Sequence, residues 1–132
     1  MIRTLLDTSA YSAHFRNHPG VSEFLGYADE VYLSVVVLGE LRAGFLKGSR
    51  VRRNEESLQE FLSQPRVSVL PVDEDTSDCY ATILNDLRRR GRHVSLNDVW
   101  IAATAFQHNL RLLTTDRDFQ AIPQVLVDFI EP

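Results

Sequence analysis

The sequence predicts an α/β protein: a three-layer α/β/α sandwich on a central, mostly parallel five-stranded sheet. Two observations lead there. Short runs dominated by Val, Ile and Leu, among them Met1-Ile-Arg-Thr-Leu-Leu and Leu110-Arg-Leu-Leu-Thr, have the composition of strands buried on both faces. Helical stretches of about ten residues or more lie between the strands, and strands joined that way pair in parallel through crossovers. With 132 residues, 44% hydrophobic and 24% charged, the composition is that of an ordinary globular protein. A single domain over residues 1–132 is expected. Such a domain buries about two-thirds of its unfolded surface.

In chain order, the first predicted strand runs from Met1 into Asp7, where the chain turns into a helix over Ser9–Phe15. That helix stops before Pro19, because the residue preceding a proline resists the helical region. Pro19 is a good first-turn residue, so a second short helix is expected to about Leu25. Val31-Tyr-Leu33 reads as the second strand, and Ser34 as the cap of a helix from Val35 to Phe45. Gly48-Ser49 breaks the pattern ahead of a polar helix from Val51 to Ser63, which Pro65 ends. Val67–Leu70 is the third strand. After Pro71, an acidic start opens a helix from Asp75 to Arg90, with Gly91 as its stop. Ser95 opens the last helix, to His108; Leu110–Thr114 and Val125–Phe129 are the fourth and fifth strands. No repeat, low-complexity tract or linker divides this order.

Charge and cysteine content narrow the function classes. A net charge of −4 argues against a general nucleic-acid binder but permits a local basic surface. Cys79 is the only cysteine, so neither an intrachain disulfide nor a cysteine-rich zinc site can form, which fits a reducing cytoplasm. Its expected role is that of a small buried hydrophobe. No run approaches the ~18 apolar residues of a membrane span, and the N-terminus lacks a signal-type apolar region. A cytoplasmic protein without membrane attachment is expected.

Carboxylates recur at the ends of the predicted elements. Asp7 closes the first strand, where open α/β sheets place their ligands; taken alone, it reads first as a helix N-cap, with Thr8 and Ser9 as the other cap candidates. Glu40 stands in Ser34-Val-Val-Val-Leu-Gly-Glu40-Leu-Arg-Ala-Gly, with Val36, Val37, Ala43 and Gly44 as its helical neighbours. A carboxylate on so apolar a face is costly unless paired or bound to a cation. Close approach of another backbone or ligand would explain Gly39 and Gly44, two unfavourable mid-helix residues. Asp98 fits the S-x-x-[DE] spacing of a capping box with Ser95, yet also heads the apolar stripe Ile101, Ala102, Ala105. Asp116 and Asp118 follow the fourth strand, where aspartate often serves only as turn former; Asp116, nearer the strand end, is favoured. Such carboxylates gathered at one sheet edge cannot all stay ionised without a cation. Oxygen ligands without Cys or a His cluster point to Mg²⁺ or Mn²⁺ and to phosphodiester chemistry.

Leu-Leu-Asp7-Thr-Ser, Glu40-Leu-Arg-Ala-Gly, Leu-Asn97-Asp98-Val-Trp-Ile-Ala-Ala and Leu-Leu-Thr114-Thr-Asp116-Arg-Asp-Phe119 together resemble the ordered motifs of PIN-domain ribonucleases, most of all the VapC toxins of bacterial toxin–antitoxin pairs. The four motifs span the chain in the family's order. The resemblance implies a Mg²⁺- or Mn²⁺-dependent endoribonuclease that cuts RNA until an antitoxin binds. It carries over Asp7, Glu40, Asp98 and Asp116 as catalytic, metal-holding acids. Thr114, Asn97 and the reserve acid Asp118 carry over in support. It also implies a homodimer, and a toxin–antitoxin hetero-oligomer whose antitoxin tail crosses the acidic groove. Ser95 departs from relatives that often have proline there. A PIN nuclease of RNA maturation or decay and a non-catalytic PIN-fold binding module are the alternatives.

Arg42, Lys47, Arg50, Arg52 and Arg53 follow the Glu40 motif and are the candidate RNA-phosphate contacts. Arg88, Arg89, Arg90 and Arg92 read as a solvated helix end favoured by the dipole. His14 and His18 have metal-binding spacing, but Pro19 argues against a helix through His18. Trp100, Phe106 and Tyr80 are expected in the core or at an interface.

Overall fold

The computed structural model describes residues 1–132. Five parallel strands, β1 (Arg3–Leu6), β2 (Glu30–Ser34), β3 (Val67–Leu70), β4 (Arg111–Thr114) and β5 (Val127–Phe129), form one sheet in the order β3-β2-β1-β4-β5. The pairing is parallel throughout. Six helices connect them: α1 (Thr8–Phe15), α2 (Pro19–Tyr27), α3 (Val35–Lys47), α4 (Val51–Leu62), α5 (Glu74–Arg89) and α6 (Leu96–Gln107). The order runs one way from β1 through β2 to β3, then returns past β1 to β4 and β5. Right-handed crossovers in opposite directions place helices on both faces of the sheet. They also open a crevice where the direction reverses, at the carboxyl ends of β1 and β4.

Burial follows strand position. Leu5, Leu6, Val31, Leu33, Leu112 and Leu113 on the three central strands are fully buried. The edge strands are less covered: only Val67 is buried in β3, and β5 is half-exposed throughout. An edge strand has one neighbour and less cover, so the apolar run in β3 packs on one side only. Phe119, Ile83, Leu87, Leu58 and Ile101 complete the core from the helices and the β4–β5 connection.

Local signals explain most boundaries. Gly91, at φ 64°, takes the left-handed position after α5, and the Arg92 N–H reaches back to the Leu87 carbonyl at 2.9 Å. Helix α3 runs two residues past the predicted Phe45, to Lys47, and Gly48 caps it. His18 caps α2 by accepting from the Val21 N–H, and its other ring nitrogen bonds the Glu131 carbonyl at 2.9 Å. A 3₁₀ turn over Arg117–Ala121, which no sequence pattern announced, joins β4 to β5. Tyr80 of α5 stacks on Trp100 of α6 at 3.9 Å between ring centroids, whereas Phe106 is largely at the surface. Cys79 is half-buried and packs against the core from its edge rather than lying within it. Arg89 and Arg90 pair with Asp86, and Arg90 also donates to the Ala121 carbonyl, so this arginine cluster braces the β4–β5 connection.

Gly39 and Gly44 have no crowded neighbour: a Cβ at either position would meet nothing within 4 Å. Close approach within this chain therefore does not explain them, and both lie exposed on α3. Gly44→Ala is accordingly expected to raise unfolding free energy by roughly 0.5–1 kcal/mol in urea titrations, through helix propensity alone.

Candidate active site

Strand β1 ends in Asp7, whose N–H still pairs with the Leu113 carbonyl of β4 at 3.2 Å. The Asp7 carboxylate then caps α1, accepting from the Ala10 N–H at 2.8 Å. It also accepts from the Ser9 hydroxyl at 2.8 Å and from the Thr114 hydroxyl at 2.7 Å. Cap and candidate acid are thus the same residue. Asp7 is only 3% exposed. Burial pushes its carboxyl upward; the bonds from Thr114, Ala10 and Ser9 pull it back, and the Asp116 charge pushes it up again.

Thr114 and Ser9 tie the β4 end to the same point. The Thr114 hydroxyl accepts from the Asp116 N–H at 2.9 Å while donating to Asp7. Ser9 Oγ accepts from the Thr115 N–H at 3.0 Å. Asp116, half-buried, caps the 3₁₀ turn through the Asp118 N–H at 2.9 Å, and Asp118 itself is exposed.

Asp98 stands in the first turn of α6, which Ser95 caps by accepting from the Asp98 N–H at 3.3 Å. Its carboxyl is pushed up to about 6, first by burial and then, against a bond from Ser95, by the charges of Asp116, Asp7 and Glu40. Asp98 therefore feels all three other predicted acids, and the structure brings that quartet to one crevice. Glu40, one and a half turns into α3, is half-buried, with Ala43 and Gly44 beside it exposed rather than covered. Its Oε1 accepts from the Thr8 hydroxyl at 2.5 Å and its Oε2 from Asn97 Nδ2 at 3.2 Å. Asn97 thus touches Glu40 rather than only neighbouring Asp98. Sequence reasoning treated Thr8 and Ser9 merely as alternative caps; the pair of hydroxyls directly after Asp7 was the available signal.

The donor set is oxygen only, with no thiol or imidazole among the four acids, a hard set suited to Mg²⁺ or Mn²⁺. In this arrangement no three of these side chains stand close enough to share one ion. Their mutual repulsion at Asp98 is the electrostatic condition a divalent cation relieves.

The basic segment divides in two. Arg42 makes two bonds of 3.0 Å to Glu55, holding that carboxyl down to about 2, and Arg52 pairs with Glu56. Lys47, Arg50 and Arg53 are exposed and outside these pairs.

A wholly parallel sheet with four carboxylates facing one crevice where its strand order reverses defines a class of α/β domain with an acidic crevice at the strand ends. Comparison with known proteins places it further. The PIN domain profile matches residues 4–125, and the chain belongs to the PIN-domain family. It is 38% identical to Ribonuclease VapC4 of Mycobacterium tuberculosis over 95% of each chain. Toxin FitB of Neisseria gonorrhoeae is 34% identical, with 85% of this chain and 86% of that one aligned. Among solved structures, VapBC2 from Rickettsia felis bound to a DNA fragment from their promoter superposes with a TM-score of 0.88 at 25% identity, over 99% of this chain and 100% of that one.

The raised Asp98 carboxyl fixes the sign of a pH effect. Its pKa in the folded state, about 6, lies above the usual carboxylate value of 3.8, so folding binds a proton between those values and the metal-free protein loses stability as pH rises through them. Solvent screening and the favourable α6 dipole reduce the effect to about 1 kcal/mol. Asp98→Asn, unfolded by urea in chelator, should be more stable than the parent by that amount above pH 6, with the difference vanishing near pH 4.

Proposed function

We propose that this chain is the toxin of a toxin–antitoxin pair, a Mg²⁺- or Mn²⁺-dependent endoribonuclease that hydrolyses RNA phosphodiester bonds. The convergence of Asp7, Glu40, Asp98 and Asp116 in one crevice carries the reading. In this reading residues 1–132 act as one cytoplasmic domain that forms a homodimer and is silenced in a hetero-oligomer with its antitoxin. Support comes from relatives that are named ribonucleases and toxins, and from a structural neighbour, 30% identical, described as a member of the VapBC family of toxin-antitoxin systems. No helix is long and apolar enough to cross a membrane.

Asp7, Glu40, Asp98 and Asp116 would hold the ion, at most two of them as direct ligands in this arrangement and the others through their charge, as suits an ion that keeps much of its water. Bound there, Mg²⁺ or Mn²⁺ supplies a Lewis acid that eases deprotonation of water and offsets charge on the phosphate. The chain's own residues do the rest. Thr114, Ser9 and the Ala10 N–H fix Asp7 in a single orientation, which lowers the reorganisation needed when substrate arrives. Asp98 would meet a cation in its ionised form, since ligands must be deprotonated to bind, and the charges of Asp116, Asp7 and Glu40 that raise it make that form the one a cation stabilises. Asp98 or Asp116 orients the water that attacks phosphorus in line with the departing ribose oxygen. Lys47, Arg50 and Arg53 contact the RNA backbone, whereas Arg42 serves mainly to hold Glu55.

Asp7→Asn and Asp98→Asn are each expected to lower Mg²⁺-dependent cleavage of RNA by at least about a hundredfold with the circular dichroism spectrum retained. Undiminished cleavage by both variants overturns the assignment. Replacing Lys47, Arg50 and Arg53 together by Gln should flatten the plot of log affinity against log salt by about 2 units, as expected for three lost single-strand phosphate contacts.

A further inference from the structure

Glu40 differs from the other three acids in how it is held. Asp7 is fixed by its own helix cap and by β4, and Asp116 by the turn it caps. Glu40 sits on α3, at the rim of the crevice, and nothing in its own helix bonds its carboxylate. Both oxygens are engaged instead from other elements: Oε1 by the Thr8 hydroxyl of α1 at 2.5 Å, Oε2 by Asn97 Nδ2 of α6 at 3.2 Å. The contacts span 32 and 57 residues of sequence. Thr8 directly follows Asp7 and Asn97 directly precedes Asp98, so each donor is fixed in space by the residue that places another acid.

The chemistry of the donors matters as much as their number. A lysine or arginine in either place would neutralise Glu40 and compete with a cation for the crevice. A hydroxyl and an amide are neutral: they orient the carboxylate and leave its charge. Each carboxylate oxygen offers about two lone-pair sites, so one bond to each leaves acceptor capacity for an ion. A glutamate at a helix rim has three side-chain torsions to fix, and an unheld one spends most of its time in rotamers turned toward solvent.

We infer that Thr8 and Asn97 are positioning residues of the reaction centre, which together clamp the Glu40 carboxylate in the orientation from which it serves a divalent cation. The inference rests on the reading of the crevice as a metal-dependent nuclease site. Hydrogen-bonded partners of metal ligands usually account for 10- to 100-fold in metal affinity or activity.

The test measures Mn²⁺ binding to the full chain by electron paramagnetic resonance, alongside kcat and KM for RNA cleavage. Thr8→Val keeps the β-branched shape and removes the donor; Asn97→Ala removes the other. Each should weaken Mn²⁺ binding about tenfold and lower kcat with KM for RNA little changed. The double variant should lose less than the product of the two, since both act through one carboxylate. Thr8→Ser, which restores a hydroxyl, should return Mn²⁺ affinity to within about twofold of the parent chain; this Ser-against-Val contrast holds even if Asn97→Ala perturbs folding. If Thr8→Val and Asn97→Ala both bind Mn²⁺ within twofold of the parent, with unfolding midpoints alone altered, the clamp is overturned and the nuclease reading stands. If the parent chain binds no Mn²⁺ and leaves RNA intact, both fall together.

Discussion

Crowding negative charge into one crevice is the constraint from which the rest of this structure follows. Asp7 is almost wholly removed from water, and Asp98 is pushed to about 6 with Asp116, Asp7 and Glu40 facing it. A buried unpaired carboxylate is among the most costly features a fold can carry. Here the core is arranged to tolerate it: fully buried leucines on β1 and β4 anchor the strands whose ends deliver Asp7 and Asp116. The apolar sheet supplies the stability and the crevice consumes part of it.

The network around the acids is built from neutral donors. Thr114, Ser9, Thr8, Asn97 and the Ala10 N–H all donate to Asp7 or Glu40, and no arginine or lysine bonds any of the four acids. Several arginines are paired away from the crevice: Arg3 with Glu30, Arg42 with Glu55, Arg90 with Asp86, Arg111 with Asp128. That separation keeps the crevice negative while the carboxylates remain oriented. It also suits an inhibitor that works by lending a cation, because the one charge the site lacks is positive.

Membership of the PIN-domain family and likeness to VapC ribonucleases agree with this electrostatic picture. The comparisons give the family; the hydrogen bonds show how the neighbours of the acids hold them. Asp-Thr-Ser places an acid and two hydroxyls in the first turn of one helix, where one hydroxyl serves Asp7 and the other reaches Glu40. Asn-Asp does the same at the start of α6, with the amide turned to Glu40 and the carboxylate to the quartet.

Alternation of apolar runs with helical stretches determined the parallel α/β architecture, because such strands cannot pair without crossovers and their helices must cover the sheet. Proline, glycine and serine fixed most helix ends, as at Pro19, Gly91 and Ser95, through backbone geometry that is local by nature. Asp7, Asp98 and Asp116 were legible for the same reason, each at or near an element end, whereas Glu40, one and a half turns into α3, stood out as a carboxylate among apolar and small helical neighbours. Strand order, however, is a property of the whole sheet. Only the tertiary structure could place β4 beside β1, and hence Thr114 on Asp7 across 107 residues. It alone decided that Glu40 is held by Thr8 and Asn97, that Arg42 belongs to Glu55, and that β3 and β5 are half-covered edges. Contacts between distant segments depend on how the layers stack, and local sequence carries no record of that.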